Sequence, residues 1–210
     1  ASPFDVKNDI ETLVNLCKVD KSLQVSIDVG LFVHVKDAGL EMRRAAFDAV
    51  TALCQPTQLG NTAAATTVAG STAKVLPITL SPSEANSKIV SVIASALTKA
   101  ETEPELQCMA RSILLKLVAI PSFASEVFSQ IETIGDALRL TIIAKVKDGA
   151  DADAVKENAR SAAFTALKLA PRAVHSVKLN DAVKAINTAP LIGAEKDAIM
   201  ARVKEEQQNE

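Results

Sequence analysis

The sequence predicts an all-α chain, built as a stack of antiparallel helix pairs with one β-hairpin protruding at about residues 23–36. Three observations carry this reading. Apolar residues recur at spacings of three and four through most of the chain, in runs of helical length joined by short turns. The apolar content is 48%, yet aromatic content is only 3%, with Ala, Leu, Val and Ile carrying the load, a composition that suits close-packed helices. One stretch alone, beginning at Leu23, has a period of two.

Taken in order, the first helix spans 5–18, with Ile10, Leu13, Val14 and Cys17 on one face. The hairpin follows. Leu23, Val25, Ile27, Val29, Leu31, Val33 and Val35 alternate with Gln24, Ser26, Asp28, Phe32 and His34, the pattern of half-buried strands, and Gly30 in the middle marks the turn. Because the aliphatic residues are odd-numbered on both sides of Gly30, they share a face only across an odd loop. A three-residue loop, Asp28-Val29-Gly30, pairs Ile27 with Leu31, Val25 with Val33 and Leu23 with Val35, and places Gly30 where a positive φ is wanted. An isolated hairpin is marginal in water, so its aliphatic face is expected to lie on neighbouring helices. The face bearing Gln24, Ser26, Phe32 and His34 is then left for solvent or a partner.

Asp37 and Gly39 mark a turn into a helix over 40–53, with Ala46, Phe47, Val50 and Leu53 facing inward and Glu41 suited to the positive end of the helix dipole. Residues 55–83 differ in kind: Ala, Thr, Ser, Gly and Pro dominate, and the stretch reads as a flexible insertion. Helices then follow over 83–97, capped by Ser83, and over 101–118, with Pro104 in its first turn. A long helix over 123–147 is expected to break near Gly135; another covers 151–169 and stops at Pro171. Two short helices, 180–186 and 194–203, form a tail, so that a body of 1–170 precedes a tail of 171–210. Helix pairs recur at about 40 to 50 residues, the period of HEAT or armadillo units, while a four- or six-helix bundle competes on spacing alone.

Net charge is −2 and the pI about 5.8, so no basic field exists to attract phosphates, and the scarcity of aromatic rings leaves no stacking platform; nucleic acid is a poor partner. No run reaches the roughly 18 apolar residues of a membrane helix. Cys17, Cys54 and Cys108 lack CxxC spacing and read as reduced core thiols of an intracellular protein. The start at Ala1, without Met or a leader pattern, suggests a piece of a longer chain.

Motifs for catalysis are missing. His34 and His175 are far apart, with no Cys, Ser or carboxylate at motif spacing, and no phosphate-binding or zinc signature occurs. The run Asp148 to Asp153 lacks the order and closing Glu of a calcium loop. No catalytic, metal or cofactor site is expected. The basic residues Arg43, Arg44, Arg139, Lys145, Lys147 and Lys156 are read either as a surface for an acidic partner or as solvated helix ends, and Lys145 and Lys147 fit the second reading well. Arg43 and Arg44 stand out, because a first helical turn disfavours positive charge.

Gly30, Phe32, His34, Asp37, Gly39, Leu40, Arg43, Ala45, Ala46 and Phe47 fall at a spacing that resembles the C-terminal, TATA-binding-protein-interacting-type domain of the cullin-associated, neddylation-dissociated proteins. A second match lies at Leu138-Arg139, Lys145-Val146-Lys147 and Lys156 to Ala162, and the resemblance covers about residues 5 to 170. It departs where Leu31 and Val33 replace the family's Pro and Lys, in residues 55–85, and in the absence of the family's long N-terminal array. The resemblance favours the HEAT/armadillo-like solenoid over the bundle. It implies a scaffold, not an enzyme, with 1–170 as the cullin-binding domain, working in cytoplasm and nucleus. Its partner would be the N-terminal region of an unneddylated cullin, in competition with the F-box-type receptor adaptor. No small-molecule substrate or cofactor is implied. The candidate partner-binding residues are Ser26, Asp28, Gly30, Phe32 and His34 on the hairpin, with Arg43 and Arg44 below it.

Overall fold

The structure, a computed structural model, describes residues 6–28, 30, 33–53, 84–98, 101, 103–145, 152–189 and 195–208. The expected insertion, Ser83, Cys54, Phe32 and the run 146–151 lie outside them. The elements are α1 (Val6–Leu16), β1 (Gln24–Asp28), β2 (Val33–Asp37), α2 (Leu40–Leu53), α3 (Glu84–Ala96), α4 (Pro104–Ala119), α5 (Pro121–Ser129), α6 (Ile131–Ile142), α7 (Ala152–Leu169), α8 (Val177–Ile186) and α9 (Lys196–Gln208). The chain is an all-α stack with one two-stranded antiparallel hairpin.

The helices form two layers. In one, α2, α4, α7 and α9 lie side by side; in the other, α1 packs on α3, α3 on α5, and α6 on α8. Across the layers α1 meets α2, α3 meets α4, and α6 meets α7, the arrangement of stacked helix pairs. A single core runs through the stack, from Ile10 and Val14 through Phe47, Ile93, Leu114 and Leu138 to Leu179 and Ile199. The helical periodicity located it well: Ile89, Val90, Ile93 and Leu97 are all buried, as are Ile134, Leu138 and Ile142. Leu53 is one-third exposed, so the buried face of α2 ends at Val50.

Local chemistry explains most boundaries. Ile120 ends α4 and starts α5 in extended conformation, at φ −96° and ψ 115°. Pro121 behind it disfavours a helical Ile120. The expected long helix over 123–147 is broken, but at Gln130 rather than near Gly135, where φ −105° and ψ 10° leave the helical range. The break lets α5 pack on α3 and α4 while α6 packs on α7 and α8. No proline or glycine marks it.

Gly135 serves another purpose. It is buried within α6, where a Cβ would come 2.5 Å from the Leu179 amide nitrogen and 2.8 Å from the Lys178 carbonyl carbon. One turn earlier, the Glu132 carboxylate accepts N–H bonds from Val177 (3.1 Å) and Lys178 (3.0 Å), and Ser176 caps Leu179 N–H at 3.1 Å. The Lys178 N–H above all holds the Glu132 carboxyl below its ordinary range. Thus α8 starts hard against α6, three residues earlier than the sequence pattern placed it. Gly135→Ala must push backbone from backbone; the urea midpoint should show a loss of about 3 kcal/mol.

The last helix is held differently. Ile199 and Val203 are the buried side chains of α9. The remaining hold is polar: Glu195 receives Arg160 and Lys156, Lys168 reaches Glu206, and the Arg202 guanidinium lies 4.9 Å from the Phe164 ring centroid. Arg160 chiefly, then Lys156, lowers the Glu195 carboxyl from 4.5 to about 2. A lowered carboxylate pKa stabilises above its unfolded value and ceases to do so as pH falls through the folded one. The attachment of α9 should therefore weaken between about pH 4.5 and 2. A progressive change in the Ile199 methyl signal over that window, ahead of the Leu114 signal, checks this.

Candidate protein-interaction site

The hairpin forms, but its register differs from the expectation. Asp28 pairs with Val33, Ile27 with His34, Ser26 with Val35, Val25 with Lys36 and Gln24 with Asp37. Four residues, 29–32, therefore separate the strands, not three. The even loop inverts the parity argument. Val25 and Ile27 fall opposite Lys36 and His34, so the odd positions of the two strands lie on opposite faces. The expected aliphatic face against the helices does not exist: Val25 is 53% exposed and Ile27 42%. Gln24 is half-buried, and the rest of β1 is exposed on both faces.

The physical reason lies at the two ends of the ladder. With neither face of β1 buried beyond Gln24, side-chain alternation does not fix its register. At the tip, the Asp28 carboxylate accepts the Gly30 N–H at 2.9 Å, an Asx-type turn, and Gly30 takes φ +89°, the positive φ expected of it. At the base, the Ala38 N–H donates to the Leu23 carbonyl at 3.0 Å, and Leu23 packs so close to Gly39 that a Cβ there would lie 3.0 Å from Leu23 Cδ1.

Arg43, expected at a partner surface, is buried at 1% exposure. Its Nη1 donates to Asp37 Oδ2 at 2.7 Å; its Nε and Nη2 donate to Glu101 at 3.1 and 3.3 Å. Burial opposes its charge most strongly, yet Asp37 and Glu101 outweigh this and raise its pKa. Arg44 is one-third exposed and tied to Glu41 and Glu105. The structure thus brings Ser26, Asp28 and Gly30 together on an exposed finger, sets Arg44 at the stack surface, and takes Arg43 inside. His34 holds its place in the β2 ladder; Phe32 falls outside the described residues.

Sequence reasoning missed Asp37 and Glu101 as partners of Arg43. The available signal was the awkward positive charge in a first helical turn, which called for an internal carboxylate as well as an external one. Asp37, six residues away at the end of a strand, was one candidate.

Among the described residues, no three metal-binding side chains converge, and no helix is long and apolar enough to cross a membrane. A groove of about 1050 Å³ lies between α4, α6 and α7, lined in part by Leu97, Ala137 and Leu140. Its three carboxylates are engaged: Glu101 by Arg43, Glu132 by the start of α8, and Asp136 by Arg139 at 3.1 Å. Cys17 is buried and free, its thiol pushed up to about 11 by desolvation; Cys108 is free and half-buried.

An exposed finger thus stands on a helix-pair stack with its base fixed from within. The sequence profile of the TATA-binding protein interacting (TIP20) family matches residues 5–188. The chain belongs to this family. The match bears out the resemblance to the cullin-associated, neddylation-dissociated type of domain and extends it past residue 170 through α8. Comparison with curated proteins found no match. TIP20 domains are protein-interaction scaffolds, and this chain is a scaffold of that kind.

The finger's tip depends on Gly30. In this TIP20 domain, Gly30→Ala meets open space but forces a side chain into positive φ, at a cost of about 1–2 kcal/mol confined to the hairpin. Amide exchange in β1 should quicken about 5- to 30-fold while the core of α4 is unchanged.

Proposed function

We propose that this TIP20 domain binds the N-terminal region of an unneddylated cullin and that its hairpin occupies the surface on which the F-box-type receptor adaptor docks. Occupation of one surface by two proteins makes their binding mutually exclusive by volume, so each weakens the other. The domain thereby promotes exchange of substrate receptors on cullin-RING ubiquitin ligases, in the cytoplasm and nucleus where those ligases act. It binds no nucleic acid, membrane, cofactor or small-molecule substrate in this role.

The observation that supports this reading is the exposure of β1 on both faces, from Val25 to Asp28. Two aliphatic side chains, Val25 and Ile27, stand in solvent on a finger with open strand edges, which is costly to leave uncovered and useful to a partner. Val25 and Ile27, with Ser26, Asp28, Gly30, Phe32 and His34, are the contact residues. Arg44 contributes from the stack, whereas Arg43 acts from within.

A pull-down of unneddylated cullin, with adaptor as competitor, tests the proposal. Deleting residues 23–36 should leave helical circular dichroism intact and abolish competition with adaptor. Phe32→Ala/His34→Ala should lower cullin capture by about tenfold, the loss of a small hot spot. Undiminished capture by the deletion would assign binding to the helix faces, as in a transport-receptor or coat-adaptor type of solenoid.

A further inference from the structure

We infer that Asp37 is the positioning residue of the hairpin: its carboxylate, taken by buried Arg43, fixes the direction in which the finger leaves the stack. The finger has no lateral support from Val25 to Asp28, since this length of β1 is exposed on both faces. Whatever sets its direction must act at the base. Asp37 is the last residue of β2 and uses both oxygens there. Its Oδ1 accepts the Gly39 N–H at 2.8 Å, which sets the local turn. Its Oδ2 accepts Arg43 Nη1 at 2.7 Å, which ties that turn to the interior.

Arg43 is itself immobilised. Glu101, 2% exposed, holds its other nitrogens and also accepts the Glu103 N–H at 3.1 Å. The Glu101 carbonyl accepts Gln107 Nε2 at 2.7 Å, and Gln107 Oε1 accepts Asn158 Nδ2 at 2.7 Å. Asn158 Oδ1 in turn accepts from Arg111, whose Nε donates to Ser161 at 3.0 Å. The base of the finger is thus bonded, link by link, through α2 and α4 to α7. The consequence is leverage. Five strand residues reach about 17 Å, so a tilt of about 20° at Asp37 displaces the tip by about 6 Å. A finger held at one angle also avoids ordering cost on binding.

The role in docking rests on the cullin reading proposed above; the role in holding the finger does not. Residual dipolar couplings of the whole chain separate them. In the unaltered protein, amide couplings of β1 and β2 should fit the alignment tensor of the helices. In Asp37→Asn, which removes the charge but can still cap Gly39, the hairpin couplings should shrink by about half while the pairing of Ser26 with Val35 persists. Cullin affinity should fall about tenfold. Arg43→Lys, which keeps the charge and loses the fork, provides the same test if Asp37→Asn unfolds. Unchanged hairpin couplings in the folded variant would overturn the inference, whatever binding does. Shrunken couplings, with cullin affinity unaltered in both this variant and the 23–36 deletion, would sustain the clamp and reject the docking role.

Discussion

Arg43 brings a full positive charge into the interior of the stack, and because a guanidinium keeps its charge it needs partners there. It meets two carboxylates from different places in the chain: Asp37 at the end of the hairpin and Glu101 ahead of α4. One guanidinium therefore joins three pieces of the chain: the hairpin, α2 and the segment ahead of α4. Removing one member of such a buried set leaves the others desolvated and unpaired, which typically costs about 3–5 kcal/mol. An arginine fork suits the task because its nitrogens point in fixed directions, so it sets an angle as well as supplying charge.

The division of labour in the molecule follows from this. The helices bury Ala, Leu, Val and Ile in one continuous core, and periodicity marks most of their buried faces. Polar groups set where particular elements start and how they are held. Glu132 and Ser176 set the start of α8, Arg160 and Lys156 hold Glu195 beside α9, and the Arg43 clamp holds the finger. A scaffold can be stable through its apolar stripe and specific through a few charged joints.

Much of the stack was legible in the sequence, because amphipathic helices announce their buried faces locally. The bounds of α2 were read to the residue, and Pro104 sits in the first turn of α4 as expected. The break at Gln130 was not legible, since it answers to where α5 and α6 pack rather than to any residue that disfavours helix. The glycine that drew attention instead, Gly135, is read correctly only with α8 in place against it. The hairpin was half legible. Its existence and the positive φ at Gly30 followed from alternation and turn chemistry. Its register did not, because alternation fixes register only where one face is buried, and β1 is open on both. Arg43 carried its signal in a mildly unfavourable position. The choice between an internal and an external carboxylate needed Glu101, 58 residues further on.

Family membership makes this chain an interaction scaffold, and the proposed function makes the finger, rather than a helix face, its contact. Hydrogen exchange of the chain with and without an unneddylated cullin N-terminal region reads that choice most directly. The account predicts slowed exchange at the amides of residues 24–28 and 33–37, with the core helices unaltered. Slowing confined to the surfaces of the helices, with the strand amides exchanging as they do in the free chain, would contradict it.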